Sequence, residues 1–149
     1  MVKGCDGMYA VIRIRGTVNI APKIAKTLEF LNLRRINNMS IWTEDVQMMK
    51  MIRLVQDYVA YGKISDEVLK EVISKKAVSV NAGEKIDAKK VVEEIKKGKT
   101  MNQIGVTNCF RMSPPRKGFE RKGIKVPYKL GGASGDRKEE INDLIKRML

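Results

Sequence analysis

The first forty residues show two hydrophobic periods in succession. Side chains alternate from Met8 to Arg15, which places Ala10, Ile12 and Ile14 on one face and Tyr9, Val11, Arg13 and Arg15 on the other. A two-residue period predicts a half-buried β-strand. After Pro22, apolar residues recur at the spacing of one helix face as far as Leu33, namely Ile24, Leu28 and Leu31. The start of the chain therefore predicts a strand followed by a helix that packs on it.

The same order repeats as far as residue 64. A second short strand is predicted at 39–43, and a helix is predicted to begin at Glu44 with an apolar stripe that includes Met48, Ile52 and Val55. A third strand is predicted at 58–64. Residues 8–64 thus predict an α+β unit in the order strand, helix, strand, helix, strand, which is a small three-stranded antiparallel sheet with two helices on one face.

The remaining residues predict a C-terminal extension at 65–149. Apolar stripes indicate helices at 65–76 and 87–97, and a helical turn is expected at 101–106. Residues 107–130 predict a basic hairpin with a mobile tip at 113–123, because prolines and glycines interrupt it. Asp136 and Glu139 have the spacing of a capping box, so a final docking helix is predicted at 136–149. Residues 1–7 show no periodicity and are expected to be a flexible lead.

Positive charge is concentrated in the predicted hairpin. The chain has 149 residues and a formal net charge of +13, and residues 110–132 contain seven basic residues against the single acid Glu120. Three prolines and four glycines lie in the same stretch, so it has little apolar surface with which to order itself. A polyanion that neutralises the segment would supply the missing energy, and nucleic acid is the expected partner. A solvated basic hairpin without a partner is the alternative.

Two other groups of residues suit contact with RNA. Arg13 and Arg15 share one predicted sheet face with an aromatic residue, as an open surface facing a phosphate backbone would require. The turn at 33–38 offers guanidinium groups for phosphates and amides for bases or 2′-hydroxyls. Both patterns have structural alternatives. Exposed antiparallel sheets often carry arginines, arginines at a helix end complement its dipole, and asparagines favour turns.

The composition argues against catalysis and metal binding. The chain has no histidine and two isolated cysteines, Cys5 and Cys109, so it contains no Ser-His-Asp triad, no Cys-His pair and no ordinary zinc ligand set. We expect both thiols to be reduced. The glycine-rich run at 131–136 lacks the spacing of a nucleotide-binding loop. A phosphate of RNA against Arg137 and Lys138 is the use we expect of that helix start.

The apolar residues are too dispersed for a membrane protein. No apolar run reaches about 18 residues, and residues 1–7 lack the apolar core of a signal peptide. A soluble, unexported, cytoplasmic protein is expected. Two further classes stay open. A sequence-independent DNA-compacting protein would share the charge, and a peripheral membrane protein would need a basic amphipathic helix, whereas the predicted helices here carry charges of mixed sign.

Several stretches together resemble one family of ribosomal proteins. VIRIRGTVNI at 11–20, KTLE at 26–29 and LRRINN at 33–38 are similar to the first half of the large-subunit ribosomal protein called L thirty in bacteria and L seven in eukaryotes. FRMSPPRKG at 110–118, GGA at 131–133 and INDLIKRM at 141–148 are similar to its C-terminal half. The similarity spans residues 8–149. A long C-terminal extension without a long basic N-terminal arm resembles the archaeal type.

The resemblance implies a structural constituent of the large ribosomal subunit that binds ribosomal RNA near the 5S RNA, beside neighbouring ribosomal proteins. It implies no catalytic residue, no cofactor, no metal and no small-molecule substrate. The alternative is a sequence-independent nucleic-acid-binding or ribosome-assembly protein without stable residence in the ribosome. The motifs and the charge pattern place the expected RNA contacts at Arg13, Arg15, Arg34, Arg35, Asn37, Asn38, Arg111, Arg116, Lys117, Arg121, Lys122, Lys125, Lys129 and Arg137.

Overall fold

The structure is a computed structural model, and it describes residues 7–149. The predicted flexible lead at 1–7 lies outside the described residues except for Gly7, whose carbonyl accepts a hydrogen bond of 3.0 Å from the Glu44 amide. The elements are β1 (Met8–Arg13), α1 (Pro22–Phe30), β2 (Asn38–Thr43), α2 (Val46–Leu54), β3 (Val59–Lys63), α3 (Asp66–Lys76), α4 (Ala88–Lys96), α5 (Met101–Ile104), β4 (Phe110–Arg111), β5 (Gly135–Asp136) and α6 (Ile141–Met148), with 3₁₀ turns at Tyr128–Leu130 and Lys138–Glu140.

Five strands form one mixed sheet in the order β4-β2-β1-β3-β5. The three central strands are antiparallel, with Val11 of β1 opposite both Ser40 of β2 and Tyr61 of β3. At the edges, β4 pairs antiparallel with β2 and β5 pairs parallel with β3. The predicted α+β class is confirmed, but the sheet is larger than predicted. Each edge strand has only two residues, which is too short to show a hydrophobic period.

Helices cover both faces of the sheet. On one face, α1 and α2 pack on Val11 and Tyr61, and on the other face α3, α4 and α6 pack on Ile12. The predicted open face carrying Arg13 and Arg15 is therefore wrong. The sequence already indicated this burial, because Val11 lies between apolar residues that point to the other face of the strand. Such continuous apolar runs are typical of strands that are buried on both faces.

Residues 110–136 connect opposite edges of the sheet. The hairpin predicted at 107–130 does not form in this part of the described chain, because β4 pairs with β2 and the chain then crosses to the far edge as β5. We call residues 112–134 the basic strap. The tip that was predicted to be mobile is hydrogen-bonded to α6, since the amides of Ser113 and Arg116 donate to the carbonyls of Met148 and Arg147, both at 3.0 Å.

The last helix starts later than predicted. Asp136 lies in β5, and its Oδ1 accepts a hydrogen bond of 2.9 Å from the Lys138 amide, so it stabilises a turn instead of capping the helix. α6 then begins at Ile141, which is fully buried. Gly62 of β3 permits this approach, because a β-carbon there would overlap the Lys138 carbonyl and the Ile141 side chain. The helix therefore packs directly on the sheet.

Candidate nucleic-acid interface

The turn between α1 and β2 presents two arginines to solvent. Arg34 and Arg35 are exposed, and Arg34 forms a surface ion pair of 2.9 Å with Glu29. Asn37 has a left-handed backbone with φ of 63°, which asparagine adopts more readily than most residues. Its amide donates to the Arg13 carbonyl at 2.8 Å, which fixes the turn to β1. Two solvated guanidinium groups thus stand on a well-anchored backbone.

Arg13 supports this turn from inside the protein. It is 3% exposed, and its Nη1 donates to the carbonyls of Leu33 and Arg34 at 2.8 and 2.9 Å. Its Nε donates to Arg15 O at 2.9 Å and its Nη2 to Gly16 O at 3.3 Å. Burial lowers the pKa of the guanidinium. The predicted RNA contact at Arg13 is therefore corrected, because its donors are already used to hold two loops together.

The two asparagines of the turn also face inward. Asn38 is 8% exposed, and its Nδ2 donates to the Cys109 sulfur at 3.6 Å. The Asn37 carbonyl accepts a hydrogen bond of 3.1 Å from the Met112 amide, and its Oδ1 is buried without a partner among the described residues. Inward-facing side chains at these two positions do not fit the predicted contacts with RNA bases or 2′-hydroxyl groups. Asn37 and Asn38 instead join the turn to β4.

Arg111 extends the arginine surface across the edge of the sheet. It is exposed in β4, directly opposite Asn38. Burial raises the pKa of the Cys109 thiol, and the positive charges of Arg111 and Arg34 act in the opposite direction, so both guanidinium groups lie near this sulfur. We call Arg34, Arg35 and Arg111 the edge cluster. The fold brings these three residues together although about 75 residues of sequence separate them.

The basic strap adds further cations, and all of its basic side chains face solvent. Its exposed basic residues are Arg116, Lys117, Arg121, Lys122, Lys125 and Lys129. The backbone beneath them is constrained. Lys122 N donates to Gly131 O at 3.4 Å, and a β-carbon at Gly132 would overlap the Val126 backbone, so only glycine permits that close approach. The strap therefore displays its cations from a packed loop.

The single acid of the strap is used internally. Glu120 accepts hydrogen bonds from Arg137 Nη1 and Nη2 at 2.7 and 2.6 Å, and from Arg147 Nη2 at 3.3 Å. Burial acts to raise the pKa of the Glu120 carboxyl, but the hydrogen bonds and charge of Arg137, assisted by Arg147, hold it below its ordinary value. The side chain of Arg137 is 2% exposed and lies over the Tyr128 ring at 4.8 Å. Arg137 is therefore not placed to contact RNA, contrary to expectation.

Sequence reasoning also missed Arg147. This α6 residue donates to the Gly118 carbonyl at 3.1 Å as well as to Glu120, so it fastens the strap at two points. A basic residue in the last turn of a helix ordinarily indicates no more than a favourable interaction with the helix dipole. Arg15, which follows β1, is half-buried with its guanidinium 4.7 Å from the centre of the Tyr58 ring. Arg15 lies close to the loop that Arg13 holds.

The described residues contain neither a metal-binding cluster nor a membrane-spanning helix. Between Gly7 and Leu149, no three acidic, cysteine or histidine side chains are arranged to hold a metal ion. Within the same range, every helix is too short or too polar to cross a bilayer. The arrangement of exposed arginines and lysines on a packed body is suited to contact with phosphates.

Comparisons with known proteins agree with this geometry. The family model described as Ribosomal protein L30p/L7e matches residues 9–59. The chain is 33% identical to the large ribosomal subunit protein uL30 of Methanococcus maripaludis, 34% identical to that of Nanoarchaeum equitans and 37% identical to that of Methanothrix thermoacetophila. Each alignment covers 95% of this chain and 99% of the relative, so the match extends through the basic strap and α6. These relatives are archaeal, as the sequence motifs predicted. The chain belongs to the ribosomal protein L30p/L7e family.

Proposed function

We propose that the chain is a structural constituent of the large ribosomal subunit, where it binds and stabilises ribosomal RNA. The full-length relatives carry the name of a large-subunit ribosomal protein, which supports the ribosomal role. The observation that supports the RNA-binding role is that the basic residues form two groups, one buried and one exposed. Buried arginines hold the loops in shape, and exposed arginines and lysines on those loops are free to meet phosphates. The family has a structural role and no enzymatic activity.

The proposed contacts are the basic residues that remain in solvent. They are Arg34, Arg35, Arg111, Arg116, Lys117, Arg121, Lys122, Lys125 and Lys129, together with the half-buried Arg15. Arginine is suited to bidentate contact with phosphate oxygens, and lysine acts as a point charge. Arg13, Asn37, Asn38 and Arg137 contribute indirectly by positioning the segments that carry the contacts. Binding is driven mainly by phosphate neutralisation and by release of counterions from the RNA.

Anchoring of the strap lowers the entropic cost of this binding. A free basic loop would have to be ordered when RNA arrives, and that ordering opposes association. Here the strap is hydrogen-bonded to α6 through Ser113, Arg116 and Gly118, and to the residue after β5 through the pairing of Glu120 with Arg137. The cations are thus displayed in a defined arrangement before binding. Shape, rather than base sequence, is what such a surface recognises in RNA.

We further propose that the binding site lies close to the 5S RNA and to neighbouring ribosomal proteins. The family resemblance supports this location. Ultraviolet cross-linking of purified large subunits, followed by sequencing of the RNA attached to this chain, tests it directly. Cross-links from the basic strap or the edge cluster to 5S RNA, or to large-subunit RNA beside it, are expected. Cross-links confined to distant RNA would contradict the location without affecting the ribosomal role.

Sedimentation of a lysate at high salt tests the function as a whole. A structural constituent held by many phosphate contacts stays with the large subunit, whereas a loosely bound assembly factor moves to the top of the gradient. Competition between duplex DNA and structured RNA for the purified protein tests a third possibility. Equal affinity for both would favour a sequence-independent nucleic-acid-binding protein, and preference for structured RNA is the result that the proposed function requires.

A further inference from the structure

A polar cavity at the β5 edge of the sheet differs in charge from the rest of the surface. It has a volume of about 270 Å³ and lies between the residues that follow α2, the strands β3 and β5, and the 3₁₀ turn at Tyr128–Leu130. Asp57, Tyr61, Tyr128 and Asp136 line it, and we call these four residues the acidic notch. Two carboxylates at one site are conspicuous on a protein with a formal net charge of +13.

Neither carboxylate of the acidic notch is neutralised by the described part of the chain. Asp57 and Asp136 take part in no ion pair between residues 7 and 149. Lys129 lines the same cavity, but it forms an ion pair with neither of them. Asp136 uses only Oδ1 in its hydrogen bond to the Lys138 amide. The carboxylates can therefore accept hydrogen bonds from a positively charged donor at this site.

Tyr61 supplies a second and independent feature. It is 7% exposed, and its hydroxyl makes no hydrogen bond among those formed within residues 7–149. Parallel pairing of β3 with β5 places Tyr61 directly opposite Asp136. Burial raises the pKa of the Tyr61 hydroxyl and the negative charge of Asp136 raises it further, while the positive charge of Arg53 acts in the opposite direction. Most of Tyr61 is buried, and it leaves an unpartnered hydroxyl at the cavity beside the unpaired carboxylates.

The chemistry of the acidic notch selects its ligand. Two carboxylates repel the phosphates of RNA, so the notch itself is not suited to bind phosphate, although Tyr128 and Lys129 of the basic strap border it. A metal ion would lack ligands, because the described residues contain no group of three acidic, cysteine or histidine side chains at one site. A lysine or arginine side chain satisfies the site. Its charged end donates to the carboxylates, and its apolar stem packs against tyrosine rings.

We propose that the acidic notch binds a lysine or arginine side chain of a neighbouring protein in the assembled large subunit. The inference rests on the proposed ribosomal function, because it is the subunit that brings the neighbour into place. The protein would then use two surfaces of opposite charge, one for RNA and one for the basic segment of another protein. Contacts of this kind fix orientation and exclude wrong partners.

Site-specific photo-cross-linking in purified large subunits tests the proposal. Gln56 lines the cavity, and its replacement by p-benzoylphenylalanine places a reactive group at the rim. The same replacement at Val46, which is 70% exposed at the opposite end of α2, is the control position. Salt-washed subunits are irradiated, the RNA and protein are digested, and the cross-linked peptide is identified by mass spectrometry. A peptide of one neighbouring protein with lysine or arginine beside the cross-link is expected from position 56 and not from position 46.

Removal of the two charges completes the test. The double variant Asp57→Asn with Asp136→Asn retains the oxygen that accepts from Lys138, and it is expected to lower the cross-link yield at position 56 about tenfold. Glu71→Gln with Glu93→Gln, which changes the net charge equally on α3 and α4, is expected to leave the yield unchanged. A cross-link to RNA, no cross-link, or one that is insensitive to the double variant overturns the inference. Absence of the chain from the subunits would overturn the proposed function as well.

Discussion

Arg137 donates from Nη1 and Nη2 to the two carboxylate oxygens of Glu120, at 2.7 and 2.6 Å, and so joins the basic strap to the residue that follows β5. The single acid of the basic strap, which contains six basic residues, is thereby used to shape the segment. The net stabilisation from such a pair is small, because both charges lose hydration. Its geometric consequence is larger, since the lysines and arginines around Glu120 acquire fixed positions.

Glu120→Gln is expected to destabilise the fold by about 1–3 kcal/mol, because the buried Arg137 guanidinium loses its counter-charge and half of a bidentate contact. Urea unfolding followed by the fluorescence of Trp42, the single tryptophan, measures the change. Glu29→Gln is the matched control. Its partner Arg34 is solvent-exposed, so we expect a change within about 0.5 kcal/mol. Equal effects of the two substitutions would show that the strap is not held by this pair.

The same carboxyl predicts a dependence of stability on pH. The folded protein holds the pKa of Glu120 below its ordinary value, so the ionised form is the one that folding favours. The resulting stabilisation is fully present above the ordinary glutamate pKa of about 4.3, and it is lost as the pH falls through the lower pKa of the folded state. Unfolding free energies measured between pH 6 and pH 3 should therefore fall more steeply for the wild type than for Glu120→Gln. Parallel curves would contradict this assignment.

The central part of the fold was predictable because its elements are periodic. Strands β1, β2 and β3 and helices α3 and α4 lie within two residues of their predicted bounds. The edges were not predictable. β4 and β5 are two residues each and pair with strands that are distant in sequence, so no local pattern marks them. A segment with three prolines looked like a free hairpin, although its ends complete a sheet that other residues begin.

Charge alone could not distinguish the arginines that we propose as RNA contacts from the arginines that hold the loops in place. Arg13 and Arg34 both lie in stretches that suit RNA, yet one is buried against backbone carbonyls and the other stands in solvent. The difference depends on which loop ends meet in space. Arg137 shows the same difficulty, because its partner Glu120 is 17 residues away and belongs to another element. Composition therefore predicts an RNA-binding protein, and the structure distinguishes the buried arginines from the exposed ones.

Arg13→Ala is expected to destabilise the protein by about 2–4 kcal/mol, because the Leu33 and Arg34 carbonyls lose their hydrogen-bond donor inside the protein. Thermal or urea unfolding gives the value. Arg35→Ala removes an exposed guanidinium from the same turn, and its stability should stay within about 0.5 kcal/mol of the wild type. If Arg13→Ala folded with normal stability and bound RNA with a reduced salt dependence, Arg13 would be a direct contact after all.

Asn108, two residues before β4 begins, extends the pairing along the β2 edge. Its Oδ1 accepts from Ile41 N and its Nδ2 donates to Ile41 O, both at 2.9 Å, so the side chain pairs with the strand as a neighbouring backbone would. Asn108→Ala leaves both buried groups unpaired and is expected to cost about 2–4 kcal/mol of folding free energy. Asn108→Asp, which places an oxygen against the Ile41 carbonyl, should be at least as harmful. Asn102→Ala, on the exposed side of α5, is the control for both in the same unfolding assay.

The edge cluster predicts a change in RNA binding without a change in stability. The double variant Arg34→Ala with Arg35→Ala removes two solvated guanidinium groups while the buried Arg13 continues to hold the turn. Each lost phosphate contact should reduce the slope of log affinity against log salt by about 0.7 to 0.9 and weaken binding by about 1–3 kcal/mol. Titration of large-subunit RNA fragments at several salt concentrations measures both quantities.

Lys70→Ala with Lys75→Ala is the control for charge, because it removes the same number of cations from the exposed side of α3. A general electrostatic attraction would make the two double variants equivalent, since long-range steering depends mainly on total charge. Local contacts at the edge cluster would lower the salt slope only for the Arg34 and Arg35 variant. An unchanged slope in that variant, with weakened binding in both, would remove the turn from the interface and leave the basic strap as the contact with RNA.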